Sequence, residues 1–88
     1  MAWKINYSAQ ALKALKKMDK QRAQRITHFM DKRIALMDNP KQSGKLLKGK
    51  LGDYWRFRVG DYRVLCEIQD TELVILAVLI GHRREVYQ

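Results

Sequence analysis

Polar and apolar residues alternate most regularly between Tyr54 and Ile68. Trp55, Phe57 and Val59 alternate with Tyr54, Arg56 and Arg58, the period-2 pattern of a strand with one buried and one open face. Gly60-Asp61 then suits a two-residue hairpin loop, because glycine accepts the positive φ of primed turns. A loop that tight pairs Val59 with Tyr62, Arg58 with Arg63 and Phe57 with Val64. Paired residues share a face, so Arg56, Arg58 and Arg63 are expected on one side of the sheet.

The elements before the hairpin follow the same logic. Trp3, Ile5 and Tyr7 alternate with polar neighbours and predict a short first strand. Ser8 is a candidate N-cap for a helix whose apolar stripe is Ala11, Leu12, Leu15 and Met18, with Lys13, Lys16, Lys17 and Lys20 on the other side. Asp19 is the expected cap of a longer helix carrying Ala23, Ile26, Met30, Ile34 and Met37, its stripe widened by Phe29 and Leu36. Asp38-Asn39-Pro40 ends that helix. The two helices are expected to form a hairpin packed on the sheet.

Residues 41–52 read as a loop in which Gly44, Gly49 and Gly52 are interleaved with Lys41, Lys45, Lys48 and Lys50. The spacing is not that of a nucleoside-triphosphate loop. After the hairpin, Gln69 to Glu72 turns the chain into Leu73–Ile80, apolar at every position and therefore expected to be a central strand covered on both faces. The fold class is α+β: a small antiparallel sheet with an N-terminal strand, a two-helix layer and a C-terminal three-strand meander. All 88 residues, with 47% hydrophobic, suit one domain spanning 1–88.

Charge adds a partner to this picture. The formal net charge is +9, large enough to imply an anionic partner. Residues 1–50 hold thirteen Lys/Arg against three Asp, whereas residues 51–88 hold five Arg against six acids. The lysines of the first half, Lys13, Lys16, Lys17, Lys45, Lys48 and Lys50 among them, suit long-range attraction to such a partner, whether nucleic acid, an acidic protein or a charged membrane surface. The arginines of the second half suit bidentate contacts to phosphate. Arg56, Arg58 and Arg63 fit either an anion-binding face or a solvated one. The single cysteine, Cys66, excludes an internal disulfide and reads as a small core residue. With no secretory signal pattern and no apolar run long enough to span a bilayer, a reducing cytoplasm is the expected location and no membrane partner is expected.

Three segments taken together, Leu47-Lys48-Gly49, Tyr54 to Arg63 and Gly81-His82-Arg83-Arg84-Glu85-Val86-Tyr87, resemble the RelE branch of the RelE/ParE toxin superfamily. The resemblance runs in order over nearly the whole chain. It implies the toxin of a toxin–antitoxin pair, a ribosome-dependent endoribonuclease that cuts mRNA in the A site. It implies as partners the ribosome, the mRNA and an acidic helical antitoxin that wraps the toxin in a hetero-oligomeric complex, with no cofactor and no metal. By motif position, Arg56, Arg58 and Arg63 would hold the message and its scissile phosphate. Arg83 would stabilise the phosphorane, and Tyr87 would orient or deprotonate the attacking 2′-hydroxyl.

Preorganised guanidinium groups aimed at the charge that develops on non-bridging oxygens act as an oxyanion clamp. Where the lysine-rich form of the family has Lys along the first hairpin strand, this chain has Tyr54, Arg56 and Arg58. Arginine stays protonated and transfers protons poorly. His82, beside Arg83, titrates nearer neutrality and is the candidate general acid. Two other functions fit the same residues: a ParE-like inhibitor of DNA gyrase that acts by binding, and a non-toxic basic RNA-binding module.

Overall fold

Five strands form one sheet in the order β1-β5-β4-β3-β2. The structure, a computed structural model, describes residues 2–49 and 52–86, with backbone alone for Glu85 and Val86. Strand β1 is Lys4–Tyr7, β2 Lys45–Gly49, β3 Gly52–Val59, β4 Tyr62–Gln69 and β5 Val74–His82. The helices are α1, Ala9–Lys17, α2, Lys20–Phe29, and a short α3, Arg83–Val86. Strands β2 to β5 pair antiparallel, and β1 adds to β5 in parallel, so the sheet is mixed.

The segment read as a loop contains a strand. Pro40–Ser43 is one turn of 3-10 helix, and Lys45–Gly49 then pairs along β3, from Lys45 opposite Arg56 to Gly49 opposite Gly52. Only Leu47 of this strand is even half-covered, so an apolar alternation never develops in its sequence. Pairing with β3 forms it, against its own low propensity.

The hairpin has the expected register: Val59 faces Tyr62, Arg58 faces Arg63 and Phe57 faces Val64. Gly60 has φ +60° and Asp61 has no positive φ, the pattern of a type II′ turn with glycine first. Phe57, Val59, Val64, Cys66, Ile75, Ala77 and Ile80 form the inner face of the sheet and close the core against Ala11, Ile26, Met30 and Ile34 of the helical layer. Burial pushes the Cys66 thiol pKa well up, as expected of a core residue.

Ser8 caps α1 as expected. Its hydroxyl accepts the Ala11 N–H at 3.0 Å and donates to the Val78 carbonyl at 2.9 Å. Val78 lies at a bulge, because β4 pairs Leu65 with Leu79 but Cys66 with Ala77. One hydroxyl thus fixes both a helix start and a sheet irregularity. Asp19 occupies the N-cap of α2 but makes no side-chain cap bond; its carbonyl accepts the Ala23 N–H instead.

The apolar ladder Ile26, Met30, Ile34 advances four residues per step, which overshoots a 3.6-residue turn by about 40° each time. The chain absorbs the overshoot by widening to a π turn at Met30–Ile34, with the Ala35 N–H reaching the Met30 carbonyl at 2.9 Å. All three ladder residues are buried. Leu12 and Leu36, by contrast, are 44% and 61% exposed and lie outside the core stripes assigned to them.

Strand β5 is covered on one face more than the other. Ile75, Ala77 and Ile80 are buried, whereas Val74, Leu76 and Leu79 are only half-buried. The helices cover one side of the sheet, and the opposite side carries Arg56, Arg58 and Arg63. Among the described residues, no helix is long and apolar enough to cross a membrane.

Candidate active site

The outer face of the hairpin brings three of the candidate arginines together. Arg58 lies opposite Arg63, and Arg56 lies one pleat along β3 on the same side. Lys45 lies opposite Arg56, so β2 adds a further cation to this face. Lys48, three residues on, falls on the other side of β2, and the two lysines do not act together. Opposite Arg63 on β5 stands Gly81, which has no side chain to compete for the position.

The arginines differ in exposure. Arg56 and Arg63 are each 8% exposed, while Arg58 is open to solvent. The open basic face expected from alternation is therefore two-thirds sunk into the protein. One Arg63 Nη donates to the carbonyls of Gly60 at 3.1 Å and Tyr62 at 3.0 Å, which folds the guanidinium under the hairpin turn. Its Nε is buried and makes no hydrogen bond among the described residues. A buried donor left in that state costs about 1–3 kcal/mol, so an anionic ligand at this face would recover part of that cost.

The C-terminal residues join the same end of the sheet. His82 closes β5 opposite Tyr62, with the rings edge-on at 5.8 Å and 78°. Its Nδ1 accepts the Arg84 N–H at 3.3 Å, which leaves Nε2 as the protonated, donating nitrogen of the neutral ring. Arg83 opens α3 with its side chain exposed, and its N–H donates to the Asp61 carbonyl at 2.8 Å. The hairpin turn thus holds Arg63 from within and the start of α3 from outside. Tyr87 and Lys50 lie outside the described residues.

Lys13, Lys16 and Lys17 are exposed on α1. Sequence reasoning left Arg25 without a role, yet its guanidinium sits against the hairpin turn, where a Cβ on Gly60 would meet one Nη at 3.2 Å. The basic residues of α2 and the π turn recur at helical spacing from Arg22 to Arg33, a signal that could have drawn notice to that side of the molecule.

A family model described as the ParE toxin of type II toxin–antitoxin systems, parDE, matches residues 5–87. Among solved structures, the toxin–antitoxin complex RelBE2 from Mycobacterium tuberculosis contains a chain similar to this one, with a TM-score of 0.84 and 22% identity over 94% of this chain and 93% of that one. The archaeal RelE–RelB complex from Pyrococcus horikoshii OT3 gives 0.75 and 27% over 94% and 97%. The isolated E. coli RelE toxin gives 0.70 and 20% over 98% and 92%. No curated protein matches the chain.

Proposed function

The chain belongs to the ParE toxin family of type II toxin–antitoxin systems, and from that premise we propose that it is an endoribonuclease that cuts mRNA on the ribosome. The observation that carries the reading is the cationic outer face: Arg56, Arg58 and Arg63 on one side of a hairpin whose turn holds the start of α3, and with it Arg83. A protein that acts by binding alone has less need of buried arginines beside an exposed one.

In the proposed reaction the 2′-oxygen of the message attacks the adjacent phosphorus and the bond from phosphorus to the 5′-oxygen breaks. A base takes the 2′-hydroxyl proton, and an acid supplies one to the 5′-oxygen, leaving a 2′,3′-cyclic phosphate and a 5′-hydroxyl. Arg63, fixed by the turn, and Arg83, exposed at the rim, bear on the charge of the phosphorane. Arg56 and Arg58 position the strand. Tyr87 is the proposed group at the 2′-hydroxyl. His82 is the proposed acid, and charging its ring requires Nδ1 to release the Arg84 N–H, so protonation and the start of α3 are coupled.

The chain supplies positioned cations more fully than a matched acid–base pair, so orientation by the ribosome carries much of the rate. The exposed lysines of α1 and Lys45 give the long-range, salt-sensitive attraction to that partner. The RelE–RelB complexes among the similar structures support an antitoxin as the inhibiting partner. The test is a message carrying one 2′-deoxynucleotide at the mapped cut. Loss of cleavage there is expected; cleavage through the deoxy position would exclude 2′-hydroxyl attack.

The family match itself favours a second reading, a gyrase inhibitor that acts by binding. A supercoiling assay separates the two, because only the second reading expects inhibition of purified gyrase.

A further inference from the structure

An open groove of about 970 Å³ runs beside the hairpin turn and meets the arginine face at Arg58. It is lined by Arg25 and His28 of α2, Lys32 and Arg33 of the π turn, and Arg58 and Gly60 of the hairpin. We infer that this groove is a second phosphate-binding track, which takes the stretch of RNA strand leading away from the arginine face. The inference rests on the RNA-cleaving reading above.

Charge is the first argument. Arg25, Lys32, Arg33 and Arg58 make no ion pair among the described residues. The one carboxylate in the lining, Asp31, is approached by the Tyr7 hydroxyl at 3.5 Å. Four unneutralised cations around one concavity repel one another and favour a ligand with several negative charges.

Backbone geometry is the second. Pairing of β2 with β3 stops at Lys45 opposite Arg56, so β3 has no neighbour on that side from Phe57 to Val59. Val59 and Tyr62 bracket the turn as a hydrogen-bonded pair, so the Arg58 N–H points away from β4, toward this open edge. A phosphate lying there meets a backbone donor as well as guanidinium groups.

Continuity with the candidate active site is the third. A smaller hollow shares Arg25, Val59 and Gly60 with the groove and extends to Asp61 and Tyr62. Tyr62 meets His82 edge-on, and the Asp61 carbonyl holds the Arg83 N–H. The surface is thus unbroken from the start of α3, over the turn, into the groove. Phe29 lines it too, with the Arg33 guanidinium over its ring at 5.6 Å, two groups on which a base can stack. Arginine forks and a stacking surface favour RNA over an acidic peptide as occupant.

The test is fluorescence anisotropy of a labelled oligouridylate with the full chain across a range of salt. Arg25→Gln with Lys32→Gln removes two exposed contacts, so affinity at 0.1 M salt should fall about 25-fold and the slope of log K against log salt should shrink by about 1.4. Lys13→Gln with Lys17→Gln removes the same charge from α1, outside the groove, where only long-range attraction acts, and should shrink the slope by clearly less than the groove pair does. Equal losses from the two pairs, or none from the groove pair, would overturn the inference. So would a groove variant that keeps its RNA affinity but escapes inhibition by an acidic antitoxin, which would assign the groove to a protein. No cleavage occurs in this assay. A wild-type chain that shows the expected slopes yet cuts no message on ribosomes therefore sinks the nuclease reading alone.

Discussion

The two faces of the hairpin come from the same residues taken alternately, and they do opposite things. On the inner face Phe57, Val64 and Cys66 are sealed from water against Ile26, Met30 and Ile34. On the outer face Arg56 and Arg63 are almost as deeply buried, yet they are cations side by side with the equally charged Arg58. Packing explains the first arrangement without any ligand. The second works against folding, since like charges opposed across a pair of strands repel and a buried donor without an acceptor is costly. Burial alone therefore does not mark a core: the buried Nε of Arg63 makes no hydrogen bond among the described residues, which sets this face apart from the apolar one.

Substitution should separate the faces. Phe57→Ala removes a fully buried ring at the centre of the inner face and should cost about 3–5 kcal/mol in urea unfolding. That is a large share of the stability of a domain this small. Arg58→Ala, one residue along and exposed, should stay within about 0.5 kcal/mol while weakening RNA binding. Comparable destabilisation by both would erase the distinction.

Ser8→Ala probes the helical layer on the inner side. The hydroxyl caps α1 and bonds the bulge carbonyl of Val78, so its loss should cost about 1–2 kcal/mol. Cleavage per folded molecule should not change. A fall in cleavage without a fall in stability would instead tie the bulge to the chemistry of the outer face.

The smallest expected effect is a pH dependence that belongs to the inner face. Burial raises the Cys66 thiol pKa, and burial followed by the neighbouring Asp31 charge and hydrogen bond raises that of the Tyr7 phenol. A raised pKa means the folded state favours the protonated form. The stability this contributes is present below the unfolded pKa and is lost as pH rises above it, from about 8.5 for the thiol and about 10 for the phenol. Urea midpoints should therefore hold steady around neutrality and fall on the alkaline side. Cys66→Ala, less stable overall, should lose the first part of that fall.

The inner face was largely legible in the sequence because its determinants are local. Period-2 alternation and one glycine set the hairpin register, and Ser8 announced a helix start through its own hydrogen-bonding chemistry. Strand β2 was not legible, because its residues alternate in neither exposure nor polarity and only β3 makes them a strand. The π turn was hidden in a four-residue spacing that an ordinary helix also tolerates. Alternation placed Arg56, Arg58 and Arg63 on one face, but it carries no depth, so the burial of two of them was unreadable. Lys45 and Lys48 looked like one loop's charge and were divided by the strand that contains them. The groove cations come from a helix, a π turn and a hairpin, a convergence that only the fold creates.

Primer extension on a message in a purified translation system tests most directly whether the outer face is catalytic. Wild-type chain is compared with Arg83→Ala, and each with ribosome-free RNA. Arg83 is exposed, so its loss should leave stability nearly unchanged while removing an electrostatic contribution of roughly 10²–10³ in rate. Discrete cuts in the ribosomal A site that require ribosomes and fade by that factor in Arg83→Ala are the expected result. Cuts of wild-type strength from Arg83→Ala, or an intact message with the wild-type chain, would contradict it.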